Sequence, residues 1–264
     1  MQIVILNSLF QTMPSLQTAS NSHYDKIAAQ YDGVPLLSDD KARSTILSLV
    51  REHIDLDPSL HQYAEIGAGN CWLTHSLMKN RVWKHPMYCV EPSTLIDQCD
   101  SSENIAKFQM GALEFSKLSN IHLDRALFVC CVHHFKDDWE EVFTNIHSQL
   151  NANGKILIYA RLDVCTYPWF KAVNDMWVGT NDVEMTKVLR KAGYSDVKVE
   201  IKRLQHVLPV EDWFNMLRIR FFSTLSTFAD DEIEVEIQRL QSGKLKEKNT
   251  VQIDDPIVII TAAK

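Results

Sequence analysis

The chain has 264 residues, enough for one large α/β core plus a smaller appended unit, and its 45% hydrophobic and 23% charged composition is that of an ordinary globular protein. With 27 basic and 34 acidic residues the formal net charge is −7, so the long-range field repels phosphate backbones and anionic lipid, which speaks against nucleic acid or a membrane surface as partner. The apolar run 3–10 is too short to span a bilayer and lacks the basic flank of a signal peptide. The six cysteines (71, 89, 99, 130, 131 and 165) show no C-x-x-C spacing, so they are expected as buried thiols of a cytoplasmic protein, with no metal.

Along the chain, apolar residues at helical spacing predict a helix over 36–55. A short strand, Tyr63–Ile66, then enters Gly67-Ala68-Gly69-Asn70, and 71–78 returns to helical periodicity. The unit repeats: strand 87–90 and helix 93–98, strand 105–110, strand 126–132 and helix 137–150, strand 155–160. Such alternation predicts a doubly wound, mostly parallel sheet covered on both faces. Beyond Arg161 the pattern loosens into an aromatic-rich stretch, a helix over 182–192, an extended run over 197–208 and the basic-apolar segment 213–222. Residues 230–241 read as a helix, although Ile233, Val235 and Ile237 also fit a period of two; 256–262 closes as a strand. The expected organisation is an N-terminal lid over 1–35, a nucleotide-binding core over 36–161, and a helical cap plus the closing strands over 162–264.

In a parallel sheet the ligand lies beyond the carboxyl ends of the strands, so the loop after the first strand is where chemistry is sought. Gly67 and Gly69 allow a sharp turn and close backbone approach to a ligand. The third glycine of a dinucleotide fingerprint is replaced by Trp72, which argues against an NAD-linked oxidoreductase. Glu65, two residues before Gly67, would repel a pyrophosphate and attract a cationic group. Glu91 stands 24 residues after Gly67, where a carboxylate can accept both hydroxyls of a ribose.

Taken together, Tyr63–Cys71, Val90-Glu91-Pro92-Ser93, Phe128–Phe135 and Asn151–Ile158 resemble the successive motifs of the class I S-adenosylmethionine-dependent methyltransferases that act on small molecules, and His23–Asp32 resembles their N-terminal lid. The resemblance implies a seven-stranded sheet and S-adenosylmethionine as cofactor. It also implies cofactor contacts from Tyr24, Tyr31, Glu65, Gly67, Ala68, Gly69, Glu91, Pro92, Met110, Gly111, Ala112, Cys130 and Cys131. One position departs from the pattern: where such enzymes often carry an Asp-Ala pair for adenine, this chain has Met110-Gly111-Ala112, which keeps a non-catalytic cofactor-binding protein as the alternative to an enzyme.

For an acceptor, His133 and His134 leave the fourth strand at the ligand edge as candidate proton acceptors. Arg161, Arg218 and Arg220 are candidate anchors for a carboxylate of a small-molecule substrate. Tyr167, Trp169 and Trp213, with Trp177, are candidate walls of an apolar pocket.

Overall fold

The computed structural model describes residues 23–34, 36, 40–100, 102, 104–164 and 166–264. Most of the expected lid segment and Cys165 lie outside the described residues. Seven strands, β1 (Tyr63–Ile66), β2 (Met87–Val90), β3 (Ile105–Phe108), β4 (Leu123–Val129), β5 (Leu150–Arg161), β6 (Ser195–Pro209) and β7 (Thr250–Ala263), form one sheet in the order β3-β2-β1-β4-β5-β7-β6. All adjacent pairs from β3 to β5 are parallel, whereas β7 runs antiparallel to both β5 and β6, so the sheet is mixed.

Helices cover both faces because their apolar residues fall on one stripe. On one side α1 (Asp40–His53) and α2 (Trp72–Met78) bury Ile46, Leu49, Leu73 and Leu77 against the sheet. On the other, α3 (Ala112–Ser116), α4 (Trp139–Gln149) and, after the short α5 (Lys171–Asp175), α6 (Asp182–Lys191) bury Phe115, Phe143, Ile146, Met185 and Leu189. The central strand β4 is apolar on both faces, as its unbroken Ala126–Val129 run requires.

It ends earlier than expected. Cys130 takes a left-handed conformation (φ 55°), which turns the chain out of the sheet after Val129, so residues 130–132 belong to the ligand edge rather than to the strand.

The second half builds a separate core. Only the Ile257–Ala263 end of β7 pairs with β5; its first half pairs with β6 alone and projects as a two-stranded ribbon. Onto that ribbon pack α7 (Val210–Arg218), α8 (Asp230–Ser242) and the aromatic segment before α5, burying Trp169, Trp213, Phe214, Ile233, Ile237 and Leu240 with Val251 and Ile253. The ambiguity at 230–241 resolves as a helix because Ile233, Ile237 and Leu240 are buried at i, i+4 and i+7 while Val235 is exposed. Among the described residues no helix is long and apolar enough to cross a membrane.

Candidate functional site

The cavity opens where the strand order reverses, between β1 and β4, as the topology of an open parallel sheet requires. Gly67 and Ala68 donate their amides to the Val90 carbonyl (2.8 and 3.0 Å), which pulls the loop across the end of β2. Gly67 has φ +75°, and a Cβ there would lie 2.3 Å from the Cys131 Cβ, so no other residue fits without moving β4's exit. Gly69 has φ +54° but open space beside it, the nearest atom being Tyr31 Cε1 at 3.9 Å. The sequence places bare backbone at both points for different reasons.

Glu91 sits at the floor of this loop, nearly fully buried. Its carboxylate accepts from the Gly69 amide (3.0 Å), the Ser93 amide (3.0 Å) and the Ser93 hydroxyl (2.5 Å). Burial raises its pKa above the usual carboxylate value, against those three bonds.

Glu65 behaves differently. It does not line the cavity but turns to the first turn of α2, accepting from the Thr74 amide (3.1 Å) and the Thr74 hydroxyl. The N-cap residue of α2, Cys71, makes no side-chain cap, and Glu65 supplies the missing acceptor. Burial pushes its carboxyl up to about 7 despite the two bonds from Thr74. The sequence expectation of a ligand for a cationic group is therefore corrected to a helix cap.

Of the other residues expected on a cofactor, Tyr24, Tyr31, Gly67, Gly69, Glu91, Pro92, Met110, Ala112, Cys130 and Cys131 line this cavity. Ala68 and Gly111 do not; their amides are engaged with Val90 and with the Glu114 side chain (2.9 Å), respectively. Ile66, Val90, Leu95, Val129 and Phe135 complete the wall. These are plain apolar residues that carried no signal beyond their places at strand ends.

The N-terminal segment covers the opening. Asp25 accepts from the Thr94 amide (2.7 Å) and hydroxyl (3.0 Å), and Gln98 donates to the Ala28 carbonyl (2.8 Å). Tyr24 and Tyr31 meet edge to face, Tyr31 also touches Phe221 of the cap, and the Tyr24 hydroxyl lies 3.3 Å from His134 Nε2.

A second cavity adjoins the first through Tyr24, Tyr31, Cys130 and His134. It is lined further by His133, Arg161, Trp177, Phe221, Phe222 and the hydroxyls of Ser223, Thr224, Ser226 and Thr227. Both candidate histidines are present. Burial, with the charge of Arg161, pushes His133 down to about 4, and burial takes His134 well below its usual value, so both rings are neutral at pH 7.

Arg161 is the one of the three candidate arginines on this cavity. Its Nε donates to Tyr167 Oη (2.8 Å) and to the buried Asp255 (3.1 Å), its Nη1 lies 3.8 Å from Cys130 Sγ, and its Nη2 has no hydrogen-bond partner among the described residues. Arg218 is held by Glu234 (2.7 Å) and Glu211 (2.8 Å), and Arg220 by Asp230 (2.6 Å) and the Phe228 carbonyl (2.8 Å), and neither lines this cavity. Ion pairing within the cap overrides the anchor role read from their apolar neighbourhood.

Tyr167, Trp169 and Trp213 are likewise corrected. All three are buried in the cap core and line neither cavity; Trp213 donates to the Pro168 carbonyl (3.2 Å), Trp169 to Asn174 (2.5 Å) and Tyr167 to Asp255 (2.5 Å). The serines and threonines at 223–227, which sequence reasoning passed over, take the place on the pocket wall that the aromatics were expected to fill.

No family profile and no curated protein sequence matches the chain. Solved structures do. Phosphoethanolamine N-methyltransferase 2 of Haemonchus contortus, in complex with phosphomonomethylethanolamine and S-adenosylhomocysteine, aligns over 97% of this chain at 14% identity with a TM-score of 0.64. This chain spans 61% of that enzyme's length. The cyclase SpnF aligns over 95% of this chain and 96% of its own (13% identity, TM-score 0.62). The cyclopropane synthase MmaA2 of Mycobacterium tuberculosis aligns over 96% of this chain and 100% of its own (16% identity, TM-score 0.58). The fold is that of the class I S-adenosylmethionine-dependent methyltransferases.

Proposed function

Starting from that fold, we propose that the chain transfers a methyl group from S-adenosylmethionine to an oxygen or nitrogen of a small molecule. The observation that carries this reading is the shared wall between the two cavities: a donor in the first would present its reactive end at Tyr24, Cys130 and His134, where the second begins. A fold shared with a cyclase does not by itself fix the reaction, so the weight falls on the site.

The residues of the first cavity suit the donor. The bare backbone at Gly67 and Gly69 admits close contact, Glu91 offers a buried carboxylate to ribose hydroxyls, and Met110 with Ala112 forms an apolar slot for adenine. When bound, S-adenosylmethionine supplies a methyl carbon made electrophilic by its sulfonium. Tyr24 and Tyr31 close the junction from above and keep water from the reacting atoms. The neutral His133 imidazole is free of a competing proton and accepts a hydrogen bond, and then the proton, from the acceptor's O–H or N–H. Among the described residues on this cavity, Arg161 Nη2 is the cationic donor that would hold an anionic group of the acceptor, a carboxylate in the reading favoured here. An acceptor methylated on the carboxylate itself needs no base, and His133 would then be dispensable.

The Met110-Gly111-Ala112 segment, with no acid for adenine, supports the alternative of a protein that binds the cofactor without turning it over. Incubation of the purified chain with methyl-labelled S-adenosylmethionine and fractionated metabolite extracts separates the two. Enzymatic transfer predicts label in one small-molecule fraction, lowered about tenfold or more in Glu91→Ala at subsaturating cofactor. Cofactor binding without label in any fraction contradicts catalysis.

A further inference from the structure

Three of the six cysteines converge beneath the glycine loop. Cys71 follows Asn70 at the start of α2, Cys89 lies within β2, and Cys99 ends the 3-10 turn Thr94–Gln98. All three are buried, and their sulfurs lie within 4.8 Å of one another. Cys71 adopts a left-handed conformation (φ 64°), uncommon for a residue with a side chain, at the point where the loop enters the helix. One helical turn later stands His75, its amide bonded to the Cys71 carbonyl (2.9 Å) and its Nε2 3.8 Å from Cys99 Sγ.

We infer that Cys71, Cys89, Cys99 and His75 form a Cys3His site for one tetrahedral thiophilic metal ion, with zinc as the best-fitting member. Three sulfurs and one imidazole nitrogen are a common donor set for structural zinc, and thiolates disfavour magnesium and calcium. In a tetrahedral site with Zn–S bonds of about 2.3 Å the sulfurs stand about 3.8 Å apart, so the three sulfurs close from their present spacing with about 1 Å of adjustment, while His75, within 3.8 Å of Cys99 but outside the group of three, swings in by a side-chain rotation. On binding, three S–H bonds break, three protons leave to solvent, three Zn–S bonds form, and His75 donates a lone pair; nothing is oxidised or reduced. The product carries one net negative charge, and Lys107, whose ammonium bonds the Cys99 carbonyl, lies beside it as counter-ion.

With four protein ligands the ion has no open position, which makes it a clamp rather than a reaction centre. It would tie the loop that carries Gly67 and Gly69 to β2, two residues before Glu91. The inference does not depend on methyl transfer.

The test uses the full chain, reduced and stripped of metal, titrated with cobalt(II) and then zinc(II). We expect one equivalent of cobalt with the thiolate-to-cobalt charge-transfer and ligand-field bands of a tetrahedral site, bleached by one equivalent of zinc, and a higher melting temperature with zinc. Cys89→Ser should lower the charge-transfer intensity by about a third, one thiolate of three being lost. His75→Gln, at a partly exposed helical position that tolerates exchange, should keep the fold by circular dichroism while weakening cobalt binding by about tenfold or more. The inference is overturned by wild-type protein that shows no thiolate–cobalt band, by spectra and affinities unchanged in both variants, or by an intact mass showing a disulfide among these cysteines in place of metal.

Discussion

The cofactor cavity and the acceptor cavity adjoin, yet they are built in opposite ways. The first is made of strand ends and backbone: Gly67, Gly69, Glu91 and Cys131 are placed by β1, β2 and β4, and the wall depends little on the cap. The second is a space between layers, with Arg161 and His133 from the sheet and Phe221 to Thr227 from the cap. Its shape therefore depends on the hydrophobic core behind Phe222, whose Trp169 and Trp213 line neither cavity. A site made of backbone should fail locally, and a site made of packing should fail globally.

Trp213→Ala is the largest expected effect that sharpens this contrast. Removing a fully buried indole should cost about 3–5 kcal/mol of stability through lost packing and the cavity left behind, read by denaturant unfolding. Affinity for S-adenosylhomocysteine in the folded fraction should change less than the acceptor KM. Equal loss at both sites would break the distinction.

The paired variants Gly67→Ala and Gly69→Ala come next. At Gly67 the added Cβ meets Cys131 at 2.3 Å, and the variant should lose cofactor binding and about 2–3 kcal/mol of stability. At Gly69 the space is open, so only the left-handed backbone, about 1–2 kcal/mol, stands against the change. Thermal unfolding of both, side by side, checks the ranking.

Glu65 gives a pH signature. Its folded pKa, about 7, is raised above the ordinary carboxylate value, so its contribution to stability is fully present below about pH 4.5 and is lost as pH rises through 7. Glu65→Gln cannot ionise. Its stability relative to wild type should therefore increase between pH 4.5 and 7, by on the order of 3 kcal/mol. A difference that stays flat across that range removes the buried-carboxyl assignment. His133, pushed down to about 4, acts in the reverse sense in both proteins: stability is lost as pH falls from 6.5 towards 4, and the comparison cancels it.

The smallest effect is expected at Arg218→Met, which breaks a half-exposed ion-pair network with Glu211 and Glu234 and should cost no more than about 1 kcal/mol with the acceptor KM unchanged. A rise in KM there would return Arg218 to the site.

The same contrast explains what the sequence made legible. The core was readable because each of its signals is local: the four apolar residues of β1 running into a glycine loop, the carboxylate at the end of β2, and alternation of strand and helix through β5. The loop's wall was largely readable for the same reason. Glu65 was misread because position on a strand does not reveal which end group the side chain turns to, and the uncapped start of α2 claimed it. In the cap, aromatic richness was visible but its partition was not: Trp169 and Trp213 are core, Trp177 and the Ser223–Thr227 hydroxyls line the pocket, and only the packing of α7 and α8 on the β6–β7 ribbon decides which is which. The left-handed turn at Cys130, which ends β4 early and opens both cavities at once, has no marker such as glycine.

The central claim, that the loop cavity holds S-adenosylmethionine with its ribose on Glu91, is tested most directly by calorimetry with S-adenosylhomocysteine on wild type and Glu91→Ala. The account predicts one equivalent bound by wild type and a loss of about 1.5–3 kcal/mol, tenfold or more in Kd, in the variant with its fold intact. No binding by wild type, or equal affinity in the two proteins, would contradict it.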